Sequence, residues 1–172
     1  MPAAEIKIRS GGIADGEGLS ALYAETCRAA HQGIIPHANL ELMIAKRVPE
    51  WWQRLVAQGT HILVIELEGT LAGYAMYGAG RYGSAGYAGE IYEIYIRPTH
   101  QGVGLGSRLL AAARADLARL GHHGMMAWSL ADAEQACRFL EARGGREFAR
   151  SELIYPARTL ERIAYGWAAD QG

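Results

Sequence analysis

Cys27 and Cys137 are the only cysteines in 172 residues, too few for a disulfide framework. A reducing cytoplasm is the expected compartment for such a chain. No apolar run approaches the length of a membrane span. Residues 1–15 carry Glu5 and Asp15 and no long apolar stretch, so no signal peptide is expected. Neither sign of charge dominates: 17 Lys and Arg face 18 Asp and Glu, for a formal net charge of −1. That balance implies no broad basic field for nucleic acid, and neither nucleic acid nor membrane is an expected partner. Internal repeats and low-complexity tracts are also missing. What is present is an ordinary globular composition, half hydrophobic and one fifth charged. The length suits one domain over 1–172 with a single substantial core.

The pattern of apolar residues orders the elements. Ile6 and Ile8 alternate with charges as a short strand. Asp15 opens a helical stretch to about Ala30, with Leu19, Leu22, Tyr23 and Cys27 on one face. Pro36 breaks the chain. A second helical region spans about Asn39 to Gln58, with Pro49 as a point of division. HILVIEL (61–67) and TLAGYAMYG (70–78) flank Glu68-Gly69, a hairpin signature. GAGRYGSAGYAG (78–89) reads as a loop, and GEIYEIYIRP (89–98) as the strongest strand. Leu105, Leu109, Ala113, Leu117 and Leu120 recur at helical spacing before Gly121. MMAWSL (125–130) is a strand. Asp132 suits the cap of the next helix, with Gln135 completing an approximate capping box. Two strands, about 146–155 and 159–167, close the chain. The expected fold is α/β (α+β): a mixed, mostly antiparallel sheet of about seven strands with about four helices.

The stretch HQGVGLGSRLL (100–110) holds three glycines in five residues, between a strand and a helix. Glycine lets main-chain N–H groups approach an anion, and a helix N-terminus adds unpaired donors and the positive end of a dipole. Three phosphate-binding designs compete. A P-loop needs Lys and Ser/Thr after its last glycine, and Ser107-Arg108 follow Gly106 here. A dinucleotide fold wants G-x-G-x-x-G after an early strand and an acid some twenty residues on, and this chain meets neither condition. The third design fits. Gln101-Gly102-Val103-Gly104-Leu105-Gly106 matches Q/R-x-x-G-x-G/A, the acyl-coenzyme A signature of the GNAT acetyltransferases. GEIYEIYIRPTHQGVGLGSRLL resembles that family's strand–loop–helix unit. SLADAEQACRFLEARGGREFARSELI resembles the strand, helix and Gly-Gly turn that follow, and ERIAYGW the closing strand. The likeness covers most of residues 61–167.

That resemblance implies direct transfer of an acetyl group from acetyl-CoA, the cosubstrate, to a primary amine. It implies that the N–H groups of Val103, Gly104, Leu105, Gly106 and Ser107 turn toward the coenzyme's pyrophosphate, with Gln101 and Gly102 completing the signature. Ile94, Tyr95 and Ile96 would form sheet-like bonds with the pantetheine arm. A backbone N–H of the same strand would stabilise the oxyanion, and no covalent enzyme intermediate is needed. Cys27 and Cys137 then read as buried structural residues on amphipathic helices.

An amine must lose a proton before it attacks. For a lysine-like amine near pH 7.4 that costs about three pH units, or roughly 4 kcal/mol, so a general base is useful. Glu90 lies eleven residues before Gln101, a spacing at which some histone-type members carry a glutamate base. Glu93 is the second candidate. Regular alternation puts the two on opposite faces of their strand, unless a bulge spoils the parity.

Two departures stand out. Where many members have an Asn that contacts pantetheine, this chain has Ala133. Where many have a Tyr that protonates the leaving thiolate, it has Leu140. These keep open a reading as an acyl-CoA-binding protein with little or no transferase activity. The expected acceptor is a small metabolite or amino acid, for want of a peptide-recognition module, and a homodimer is compatible with the chain. No metal is expected, and His122-His123 reads as a helix-end pair that caps carbonyls. Of the adjacent Trp51 and Trp52, one should pack and the other line a site. Tyr74, Tyr77, Tyr82 and Tyr87 cover the sheet or touch substrate.

Overall fold

Seven strands form one sheet in the computed structural model, which describes residues 2–81 and 86–169. They are β1 (Ile6–Ser10), β2 (His61–Leu67), β3 (Thr70–Ala79), β4 (Gly89–Ile96), β5 (Met125–Leu130), β6 (Arg146–Tyr155) and β7 (Arg158–Trp167). Their order in space is β1-β2-β3-β4-β5-β7-β6. Every neighbouring pair is antiparallel except β4 and β5. Glu68 (φ 51°) and Gly69 (φ 77°) make the β2–β3 turn, both at the positive φ that a two-residue hairpin demands.

The helices are α1 (Gly16–His31), α2 (His37–Ala45), α3 (Pro49–Ala57), α4 (Leu105–Arg119) and α5 (Glu134–Ala142). Pro49 opens α3 at its first turn, where a missing N–H costs nothing. The second helical region is therefore two helices, and the described residues hold five rather than about four. Two apolar clusters sandwich the sheet. Leu105, Leu109, Leu117, Cys137 and Leu140 bring α4 and α5 against one face. Leu19, Leu22, Cys27, Leu40 and Trp52 bring α1, α2 and α3 against the other. Both cysteines are buried thiols.

Asp132 does not cap α5. The N-cap is Ala133, whose carbonyl accepts the first helical bond from Cys137 (3.1 Å), because the chain turns one residue later than the sequence suggests. Gly144 (φ 90°) ends the helix in the left-handed region, as the Gly-Gly pair predicts.

A cleft opened by strands β4 and β5

The parallel pair β4–β5 is short. Gly89, Glu90 and Ile91 pair with Met125, Met126 and Ala127, and beyond them the strands part. One edge of β4, from Tyr92 to Ile96, is left without a neighbouring strand. The gap opens into a cleft of about 1120 Å³. Its walls are β4, β5, the N-terminus of α4, one side of α5 and the α1–α2 turn. The cause lies partly in β4 itself. Met76 pairs with Glu93 and Tyr77 with Ile91, so Tyr92 is an extra residue and β4 bulges there. The bulge also corrects the parity count. Met76 and Gly78 share a face of β3, and their partners Glu93 and Glu90 therefore share a face of β4.

Both carboxylates are engaged. Glu90 is fully buried and does not line the cleft. Its Oε2 accepts from Arg81 Nη2 (2.6 Å) and Nε (3.0 Å), and its Oε1 accepts the Arg81 backbone N–H (3.1 Å). Glu93 lines the cleft. Arg47 binds it bidentately (2.6 and 3.1 Å), and Tyr74 donates to it at 3.2 Å. Arg47 is itself caged, with its guanidinium carbon 3.9 Å from the Trp51 ring centroid and 4.3 Å from that of Tyr23. Such contacts are each worth about 0.5–2 kcal/mol. Trp52 packs in the core as expected, whereas Trp51 covers Arg47 instead of lining the cleft.

At the far end of the cleft the glycines serve two purposes. Gly102 (φ 81°) and Gly104 (φ 84°) adopt the left-handed conformation, with open space where a β-carbon would stand. Gly106 is helical, and a β-carbon there would lie 2.9 Å from the Phe139 ring, so its role is to let α5 approach α4. Among the described residues no side chain caps α4 at Gly104, and Arg108 makes the first helical bond back to it. The N–H groups of Leu105, Gly106 and Ser107 thus have no intrahelical acceptor. Gly102, Gly104, Leu105 and Gly106 all line the cleft. An uncapped helix start beside two bare left-handed glycines fits a bound diphosphate.

The other signature residues fall differently. Gln101 lines the cleft and bridges two of its walls: its Nε2 donates to the Ile96 carbonyl (3.0 Å), and its Oε1 accepts from Gln135 (3.2 Å). Ile94, Tyr95 and Ile96 line the cleft, Ile96 with its carbonyl taken by Gln101. The Val103 side chain points to solvent. The Ser107 hydroxyl accepts from Arg143 Nε at 2.7 Å and faces a smaller hollow of about 430 Å³, which His122 and His123 also line. No three His, Cys, Asp or Glu side chains converge as a metal-ligand set among the described residues.

Leu140 lines the cleft but is 4% exposed and packs in the core with Cys137 and Trp167. Leu140→Tyr is therefore expected to destabilise the fold by about 1–3 kcal/mol through overpacking. Urea unfolding checks this, and an unchanged midpoint would show that a ring fits there. Of the four tyrosines, Tyr74 meets Glu93 and Tyr77 donates to Asp116 (2.6 Å). Tyr87 stacks near Phe148 (4.5 Å between centroids). Tyr82 lies outside the described residues.

Sequence reasoning missed Arg47, His31, Tyr155 and Arg162, of which all but Arg47 line the cleft. They come from separate elements, and no local spacing connects them. Arg158 donates to the carbonyls of Gly33 (3.1 Å) and Ile34 (2.8 Å), which ties the β6–β7 hairpin to the α1–α2 turn.

The sequence profile of the Acetyltransferase (GNAT) family matches residues 21–144. Over 162 residues the chain is 24% identical to the uncharacterized N-acetyltransferase YuaI of Bacillus subtilis, covering 94% of this chain and 92% of that one. It is 36% identical over 78 residues to the L-methionine sulfoximine/L-methionine sulfone acetyltransferase of Salmonella typhimurium, a match of 45% of each chain. Among solved structures, the PaiA N-acetyltransferase of Thermoplasma acidophilum in complex with coenzyme A superposes with a TM-score of 0.75 at 18% identity. That match covers 92% of this chain and 98% of the other. Salmonella typhimurium YncA, solved with its cofactor acetyl-CoA, gives a TM-score of 0.69 at 24% identity over 97% and 95% of the chains. At these identities the structural likeness speaks for the fold.

Proposed function

The chain belongs to the Acetyltransferase (GNAT) family, N-acetyltransferases whose cosubstrate is acetyl-CoA, and from that premise we propose that it acetylates the primary amine of a small metabolite or amino acid in this cleft. The observation that carries the reading is the parting of β4 from β5, with the uncapped start of α4 and both polar and apolar side chains lining the cleft between them. The tie from Arg158 to the α1–α2 turn favours an acceptor of small size. An amino-acid acceptor agrees with the activity named for the Salmonella relative.

In this reading the coenzyme supplies an acetyl thioester. Gly102, Gly104 and the first N–H groups of α4 hold its diphosphate, and the open edge of β4 at Ile94, Tyr95 and Ile96 aligns its arm. Gln101 fixes that edge to α5. Of the two carboxylates, Glu93 faces the acceptor. Its oxygens already accept from Arg47 and Tyr74, so it draws the ammonium proton through water rather than by direct contact. Glu90 holds Arg81 and the end of β3. No helix among the described residues is long and apolar enough to cross a membrane. Two buried free thiols agree with a cytoplasmic setting. Assembly as a homodimer through the edge strand β6, where Ile154 is 82% exposed, belongs to the same proposal.

A second reading, coenzyme binding without efficient transfer, is favoured by the apolar Leu140 and Ala133. A panel of L-amino acids and small amines, assayed for thiol release from acetyl-CoA beside a calorimetric binding titration, separates the two. Binding with turnover of at least one amine is the expected result. Binding without turnover would support the second reading, and neither would defeat both.

A further inference from the structure

Aminolysis of a thioester moves one proton from nitrogen to sulfur. The C–N bond forms, the C–S bond breaks with its electron pair going to sulfur, and the acceptor nitrogen sheds a proton. Leu140 cannot carry it. The described residues offer another hydroxyl in the cleft. Tyr95 stands on β4 three residues beyond the bulge, half-buried, and lines the cleft with His31 at the end of α1. The His31 Nε2 lies 3.1 Å from the Tyr95 hydroxyl oxygen. The other ring nitrogen, Nδ1, is shut from solvent and has no hydrogen-bond partner among the described residues.

That orphan favours one tautomer, because a buried N–H left without an acceptor is rare. With the imidazole proton on Nε2, the ring donates to the Tyr95 oxygen. The Tyr95 O–H then has no acceptor among the described residues and is free to donate into the cleft. We propose that Tyr95, held by the ring N–H of His31, passes the proton from the acceptor nitrogen to the departing sulfur. Tyr95 gives its hydroxyl proton to sulfur as the C–S bond breaks, and its oxygen takes the proton shed by nitrogen, so the phenol is restored. His31 is a positioning residue, whose N–H steadies the oxygen while charge passes through it. The inference rests on the reading of the cleft as the acetyl-transfer site.

The surroundings suit a hydroxyl that stays protonated between turnovers. Burial pushes the Tyr95 phenol well above its usual range, and the nearby Glu93, Cys27 and Tyr23 push the same way against Arg47. Tyr74 of β3 also faces it. Across the cleft stand Asp132, Tyr155 and Arg162. Burial lowers the pKa of His31, which keeps the ring neutral at neutral pH.

Two measurements test this. The first needs no turnover: long-range ¹H–¹⁵N NMR of histidine-labelled protein, with the His31 signal identified by its loss in His31→Gln. The expected tautomer carries its proton on Nε2, and a proton on Nδ1 would overturn the proposal. The second uses acetyl-CoA and the best acceptor of the amine panel. Tyr95→Phe should lower kcat by about 10²-fold, with KM and Kd for acetyl-CoA within about two-fold of wild type. His31→Gln should lower kcat in the same direction and add little to the Tyr95→Phe loss. A Tyr95→Phe enzyme with wild-type kcat would overturn the proposal. Failure of acetyl-CoA to bind the wild-type protein would instead defeat the reading of the cleft, while the tautomer still decides the hydrogen bond on which the pair depends.

Discussion

Gly104→Asp is expected to abolish the stabilisation that acetyl-CoA confers. A ligand at one hundred times its dissociation constant adds about 2.7 kcal/mol to a fold that alone binds it. At Gly104 a β-carbon would enter open space beside the cleft, at the uncapped start of α4. A carboxylate there would accept the N–H groups proposed to hold the diphosphate and repel its charge. The left-handed backbone (φ 84°) adds up to about 1–2 kcal/mol of strain for a residue with a side chain, less for Asp and Asn than for most. Gly104→Asn carries a similar strain without the charge and separates the two effects. Thermal melts with and without acetyl-CoA should show the shift lost in the Asp variant and partly kept in the Asn variant. An undiminished shift in a folded Gly104→Asp protein would place the diphosphate elsewhere.

Glu93→Gln is expected to lower kcat by about 10²-fold at neutral pH. The amide keeps the shape and one acceptor for Arg47, but it cannot take a proton from water. The loss should shrink as pH rises toward the pKa of the acceptor, because more free amine is then present and less help is needed. Glu90→Gln should cost less turnover, since Glu90 lies beneath Arg81 outside the cleft. Initial rates from pH 6.5 to about 10 in saturating acetyl-CoA decide it. A greater loss at Glu90, or a Glu93 deficit constant across that range, would move the base elsewhere.

Much of the fold was legible because its signals are local. HILVIEL and MMAWSL match β2 and β5 residue for residue, and Glu68-Gly69 turns the hairpin as its dipeptide predicts. The glycine signature was legible for a related reason: conformational demands at Gly102 and Gly104 act on the residue itself. Gly106 belongs to the same signature, yet its neighbour is Phe139, thirty-three positions on, which no local pattern discloses. The bulge at Tyr92 escaped in the same way. Alternation counts residues along one strand, while a bulge is defined by the partner strand, here between Met76 and Tyr77. Arg47 and His31 meet Glu93 and Tyr95 only because α1 and α2 fold over that face of the sheet. Asp132 failed as a cap because a turn ahead of α5 shifted its start to Ala133.

Following the acetyl group tests the central claim most directly. With acetyl-CoA labelled in the acetyl carbon and the best acceptor of the panel, mass spectrometry should find the label in an amide on the acceptor nitrogen. One free coenzyme thiol should appear for each amide formed. Label recovered only as free acetate, or acetyl-CoA returned intact with every amine tried, would contradict acetyl transfer as the work of this cleft.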